Sequence, residues 1–172
     1  MSKIEKNPDF LQMARTLKKD AIRYARVTGL NFFQDSFYNQ GFTDKGFEKW
    51  ENRKGDIDPG RKILVKSSHL LNSLDVEDDG KSKITFFSDA EYADIHNNGG
   101  TLNIRITEKS RKYFWYMYKA TGQGKWKGMA LTKKNQFTVV IPQRQFIGHS
   151  ETLMDDLDEW LLNTIIKRFK TL

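Results

Sequence analysis

Between Asn103 and Lys134 the sequence interleaves cations with aromatic rings, a combination suited to attracting anions and stacking flat groups. The cations are Arg105, Lys109, Arg111, Lys112, Lys119, Lys125, Lys127, Lys133 and Lys134, and the single anion is Glu108. The whole chain carries a net charge of +7, so this segment holds the excess and the rest is close to neutral. Its rings are Tyr113, Phe114, Trp115, Tyr116, Tyr118 and Trp126. Two uses follow. Arg111, Lys112, Lys125, Lys127, Lys133 and Lys134 are candidate contacts to DNA phosphates or another anion. Tyr113, Trp115, Tyr116 and Trp126 are candidate contacts to a protein partner or a second copy. A plain β-hairpin with a buried aromatic face and a lysine-protected edge accounts for the same pattern. No RNP motif, helix-turn-helix or zinc-finger spacing accompanies the charge, so base-specific readout is not expected.

Catalytic chemistry has less to work with. The histidines are His69, His96 and His149, and none sits in an HExxH, P-loop or GxSxG context. A hydrolytic site could be imagined around His96, with Glu91 and Asp94 close in sequence. A helix-end histidine bonded to backbone explains His96 equally well. The chain has no cysteine, which removes disulfides, thiolate metal ligands and a thiol nucleophile. No enzymatic activity, metal or cofactor is expected. Arg144 follows Pro142 and could clamp a partner's carboxylate with its planar fork, or fix its own turn.

The elements that must position these groups suggest one α+β domain spanning residues 1–172, with 103–134 as a basic aromatic hairpin insertion. A length of 172 residues suits a single core. Asn7 as N-cap and Pro8 at the first helical position would open an amphipathic helix through Phe10, Met13, Leu17, Ala21 and Tyr24. Gly29 should end or bend it, with a second helix through Phe32, Phe33 and Phe37 closing near Gly41. A polar connection from Thr43 to Gly60, pinned by Phe47 and Trp50, comes next. Ser67 to Leu74 suggests a capped helical turn, and Asp78-Asp79-Gly80 a hairpin between Leu74–Glu77 and Ser82–Ser88. A short helix over Ala90–Asn97 ends at Gly99-Gly100. From Thr101 to Ile141 the residues favour strand, including the run Tyr113–Tyr118. The last element is a helix capped by Ser150 or Thr152, its stripe formed by Leu153, Leu157, Trp160, Leu161, Thr164, Ile165 and Phe169. It is expected to pack on a central antiparallel sheet. The N-terminus lacks a signal-peptide pattern and no long apolar run is present, so a chain made in a cytoplasm, without a membrane, is expected.

Several segments, in this order, resemble the phage virion morphogenesis family, the tail-completion and head–tail joining proteins of Mu-like and P2-like phages. They are Asn31-Phe32-Phe33-Gln34-Asp35-Ser36-Phe37 with Gln40-Gly41-Phe42, Trp50 with Arg53-Lys54, and Ile63-Leu64 with Leu70-Leu71-Asn72-Ser73-Leu74. Tyr92-Ala93-Asp94-Ile95-His96-Asn97-Asn98-Gly99-Gly100 and Ile141-Pro142-Gln143-Arg144-Gln145-Phe146-Ile147-Gly148 complete the set. The resemblance covers most of 30–172 outside the basic insertion. Where Gln143 and Gln145 stand, the family more often has Ala and Pro or Lys. The resemblance implies a structural protein of virion assembly, built into a homo-oligomeric ring, hexameric to match tail symmetry. Its partners would be tail and neck proteins, with non-specific contact to packaged DNA, in the host bacterial cytoplasm during assembly and then in the virion tail or neck. The alternative is a non-sequence-specific nucleic-acid-binding protein using the 103–134 segment.

Overall fold

The computed structural model describes residues 9–53, 58, 60–81 and 83–170. The fold is α+β, with long helices near both ends of the chain. Helix α1 (Phe10–Asn39) runs for 30 residues, about 45 Å at 1.5 Å per residue. Asp9 caps it, its carboxylate accepting from the Gln12 N–H at 2.9 Å. The expected cap at Asn7 and Pro8 lies outside the described residues. Gly29 does not end α1, which runs on to Asn39. A Cβ at this position would come within 2.3 Å of the Phe86 ring, so the glycine is a notch that admits the aromatic. The helix stops at Gln40, whose left-handed backbone (φ 61°) lets its N–H return to the Ser36 carbonyl.

Strands β1 (Gly41–Thr43) and β2 (Phe47–Lys49) then form a short hairpin inside the stretch expected to be a surface connection. Trp50 is buried there, whereas Phe47 is exposed and pins little. The helical turn appears as α2 (His69–Asn72), and β3 (Leu74–Asp78) pairs with β4 (Ile84–Ser88) around the expected Asp79-Gly80 turn. Helix α3 (Ala93–Asn98) leads into β5 (Gly100–Arg105), which pairs antiparallel with β6 (Gln136–Ile141). Among the described residues the strands form three separate two-stranded sheets, not one central sheet.

The insertion between β5 and β6 corrects the sequence reading most. Residues 108–131 are two helices, α4 (Glu108–Thr121) and α5 (Gly124–Leu131), packed against each other. Thr107 caps α4 in a reciprocal box with Ser110, and Gly122 closes it in the left-handed region (φ 67°). The aromatic run Tyr113–Tyr118 therefore lies on a helix and not on a strand.

The core is an aromatic cluster between α1, α2, β3 and the segment before the last helix. Phe37 and Phe146 are fully buried, with ring centroids 5.1 Å apart, and Trp50 meets Phe37 edge-on at 5.5 Å. Helix α6 (Glu151–Phe169) is capped by Ser150, whose hydroxyl accepts from the Leu153 N–H at 3.2 Å. It packs on α1 and not on a sheet. Trp160 stacks on Tyr24 at 4.3 Å, and Arg168 pairs with Asp20. No described helix is long and apolar enough to cross a membrane.

Candidate interaction surface

Two features stand out when the polar and aromatic side chains are traced through the fold. One is a hydrogen-bonded node in the body. The other is the arm formed by β5, α4, α5 and β6, which the node roots.

The node draws together segments far apart in sequence. The Asn97 side-chain oxygen accepts from the backbone N–H of Phe146 at 2.9 Å and of Ile147 at 3.0 Å. The His96 carbonyl accepts from the Arg144 N–H at 2.8 Å, and the Gln145 carbonyl accepts from the Trp50 indole N–H at 2.8 Å. Without these partners the backbone groups around buried Phe146 would be left unpaired, each at a cost of about 1–3 kcal/mol. The Gln40 side-chain amide works the same way, donating to the Ile63 carbonyl and accepting from the Ile63 N–H. Gly99 (φ 69°) sits so close to Gln143 that a Cβ would meet its backbone nitrogen at 2.8 Å.

Of the two roles open to Arg144, a clamp on a partner's carboxylate or a brace for its own chain, its burial favours the second and corrects the first. Its Nε and Nη2 both donate to the Glu51 carbonyl, at 3.2 and 3.0 Å, fixing the chain after Trp50. Burial lowers its pKa from the ordinary arginine value, with Glu51 opposing the shift and Arg53 adding to it. Beside it His96 is half-buried, and its Nδ1 has no hydrogen-bond partner among the described residues. Burial, then the Arg144 charge, lowers the His96 pKa below 6.5. No group of three His, Asp or Glu side chains suited to a metal occurs among the described residues.

The arm is organised differently. On α4 the residues at helical spacing, Arg111, Phe114, Met117 and Tyr118, turn inward, while Lys112, Tyr113, Trp115, Tyr116 and Lys119 are exposed. Trp126 of α5 stacks on Phe114 at 6.2 Å, and Phe137 of β6 meets Phe114 edge-on at 6.0 Å, giving the tip a small core. Trp126 is therefore half-buried and serves the tip. Tyr113, Trp115 and Tyr116 stay available to a partner.

The expected anion contacts divide as well. Arg111 donates to the carbonyls of Ala130, Thr132 and Lys134 at 2.9, 2.6 and 3.4 Å, so it closes the end of α5 and is not presented to a ligand. Lys112, Lys125, Lys127, Lys133 and Lys134 are exposed. Lys125 lies over the Trp126 ring at 5.3 Å and Lys127 over Tyr118 at 5.9 Å, which leaves ammonium groups at the arm's surface.

Sequence reasoning missed Leu102, Ile104 and Val139. They lie on one face of the β5–β6 ribbon and are exposed, although their alternation with polar residues was the available signal. It also missed Asn97, because nothing local announces a side chain that caps backbone some fifty residues away. Comparison with protein-family models, with curated proteins and with solved structures gave no match.

Proposed function

We propose that this chain is a structural protein of tailed-phage virion assembly, acting in tail completion or head–tail joining, and that it works by oligomeric packing without catalysis or a cofactor. The observation that carries the reading is the arm, a basic and aromatic projection that leaves Tyr113, Trp115 and Tyr116 53, 36 and 66% exposed. Exposed aromatic side chains gathered on one short helix are a recurrent feature of interaction surfaces. The segments on which the family resemblance rests also meet in space. Trp50, Asn97 and the Arg144–Phe146 stretch form the node that holds the arm's root. A rigid body presenting a partner-seeking arm suits a junction component in the host cytoplasm during assembly and in the tail or neck afterwards, bound to tail and neck proteins in a homo-oligomeric ring.

The test is genetic and morphological. Removing the chain from its phage or prophage should leave filled heads and tails unjoined under the electron microscope. The full-length Trp115→Ala/Tyr116→Ala variant should fold normally yet fail to restore virions. Intact particles formed without the chain would overturn the reading.

The exposed lysines favour a second reading, non-specific binding of nucleic acid. Its signature is a salt dependence of about 0.9 logarithmic units per phosphate neutralised. Replacing Lys112, Lys125, Lys127, Lys133 and Lys134 with Gln should then flatten that slope. If the arm serves protein contacts instead, duplex binding is negligible in both forms.

A further inference from the structure

The arm is complementary to the outer face of α6, and we propose that the arm of one copy docks along α6 of the next, with its tip toward the Ser150 end. This rests on the assembly reading above and names the surfaces that reading would use.

The arm needs a cover. In the β5–β6 ribbon, Leu102 pairs across from Val139 and Ile104 from Phe137, so alternation puts these side chains on one face. Leu102, Ile104 and Val139 are 39, 50 and 37% exposed, and no third strand joins the ribbon among the described residues. An isolated two-stranded ribbon is marginal in water until its apolar face is packed. The opposite face is mostly polar, with Asn103 and Thr138 hydrogen-bonded at 2.8 Å. Beyond this ribbon the tip exposes Lys112, Lys119, Lys125 and Lys127, and the arm's one carboxylate is Glu108.

Helix α6 presents the matching surface. Its inward stripe is Leu153, Leu157, Trp160 and Leu161. At about 100° per residue, Asp155, Asp158 and Glu159 fall on the outward side, followed by Leu162 and Ile166. All five are exposed, Leu162 at 61% and Ile166 at 50%. The order runs acidic then apolar over about 17 Å of helix. The arm runs apolar at its root, along a ribbon of about 20 Å, then basic at its tip. Laying the tip over Asp155–Glu159 brings the ribbon face toward Leu162 and Ile166. Apolar contact then supplies the affinity, while the charges steer the approach and fix its direction. Because the two surfaces are different parts of the molecule, the contact is head-to-tail, the kind that closes into rings or extends into filaments. DNA would match the lysines but would leave the ribbon's apolar face uncovered.

Charge swapping tests this. One full-length variant carries Lys112→Glu, Lys125→Glu and Lys127→Glu. Another carries Asp155→Lys, Asp158→Lys and Glu159→Lys, all beyond the first turn of α6, where dipole effects fade. The wild type should associate with rising concentration in sedimentation or light scattering. Each variant alone should associate at least tenfold more weakly, with its circular dichroism unchanged. An equimolar mixture, and a chain carrying all six changes, should regain assembly. Since the chain has no cysteine, Lys127→Cys and Asp155→Cys chains, when mixed, should crosslink on oxidation. A wild type that remains monomeric throughout, an oligomer indifferent to both reversals, or folded variants that do not rescue each other would overturn the docking. If virions still depend on the chain in those cases, the assembly reading survives alone. Mutual rescue of variants in a phage that assembles normally without the chain would instead sink that reading and leave the docking intact.

Discussion

The body and the arm are both rich in aromatics, yet they handle them in opposite ways. In the body Phe33, Phe37, Phe42, Trp50 and Phe146 are buried against one another, and the polar backbone around them is paired by Asn97, Gln40 and Arg144. In the arm Phe114, Trp126 and Phe137 make a small tip core, while Tyr113, Trp115 and Tyr116 face outward with lysines among them. The body buries its largest rings within one chain, whereas the arm leaves several of its own at the surface, and aromatic content alone does not separate the two cases. What separates them is how completely the rings are covered: Phe37 and Phe146 are fully buried, whereas Phe114, Trp126 and Phe137 at the tip are only half-buried.

The largest test of that contrast is a pair of truncations. Phe37→Ala should lower the denaturant-unfolding free energy of the full chain by about 3–5 kcal/mol, the range for deleting a buried aromatic. Phe114→Ala should leave the main transition within about 0.5 kcal/mol, while amide exchange in α4 and α5 speeds up. A main transition that moves equally in both variants would mean that arm and body are one cooperative unit. A smaller effect is expected at the node. Asn97→Ala strips the acceptor from two backbone N–H groups and should cost about 1–3 kcal/mol in the same measurement. No change would mean that water replaces the side chain, and the node would then not be what stiffens the arm's root.

The smallest effect is in pH. His96 has a folded pKa below its unfolded value of 6.5, so the unfolded chain binds more protons as pH falls through that range. Its contribution to stability is full above 6.5, is lost as pH drops toward the folded value, and then levels off. The unfolding midpoint should fall modestly between pH 7 and 5, and His96→Gln should remove that part of the slope. An unchanged slope in the variant would show that His96 does not sense its buried setting.

The fold was legible wherever the signal was local. The α6 stripe with its Ser150 cap, the hairpin turning at Asp78-Asp79-Gly80, and α3 ending at Gly99 all follow from spacing and turn residues. The tip helices were missed because Tyr, Phe and Trp favour strands, and that preference masked two opposing signals. The first was the Thr107 cap with Ser110 three residues on, the second the closing Gly122. Gly29 misled in the reverse direction. As a helix breaker it suggested a boundary, but its missing Cβ is what lets Phe86 reach α1, a fact held sixty residues away. The candidate surface was half legible: its charge and rings are in the sequence. That Arg111 and Arg144 are committed to carbonyls of their own chain is not.

The arm leaves and rejoins the body at one narrow point, where Gly99 abuts Gln143 and Arg144 bonds back to His96. The 42 residues from Gly100 to Ile141 can therefore change or lengthen while the two ends that the body must accommodate stay fixed. Such a root uncouples the inheritance of the scaffold from that of its specificity. If the arm binds a partner, rewriting it would change that partner while leaving the packing around Phe37 and Phe146 in place.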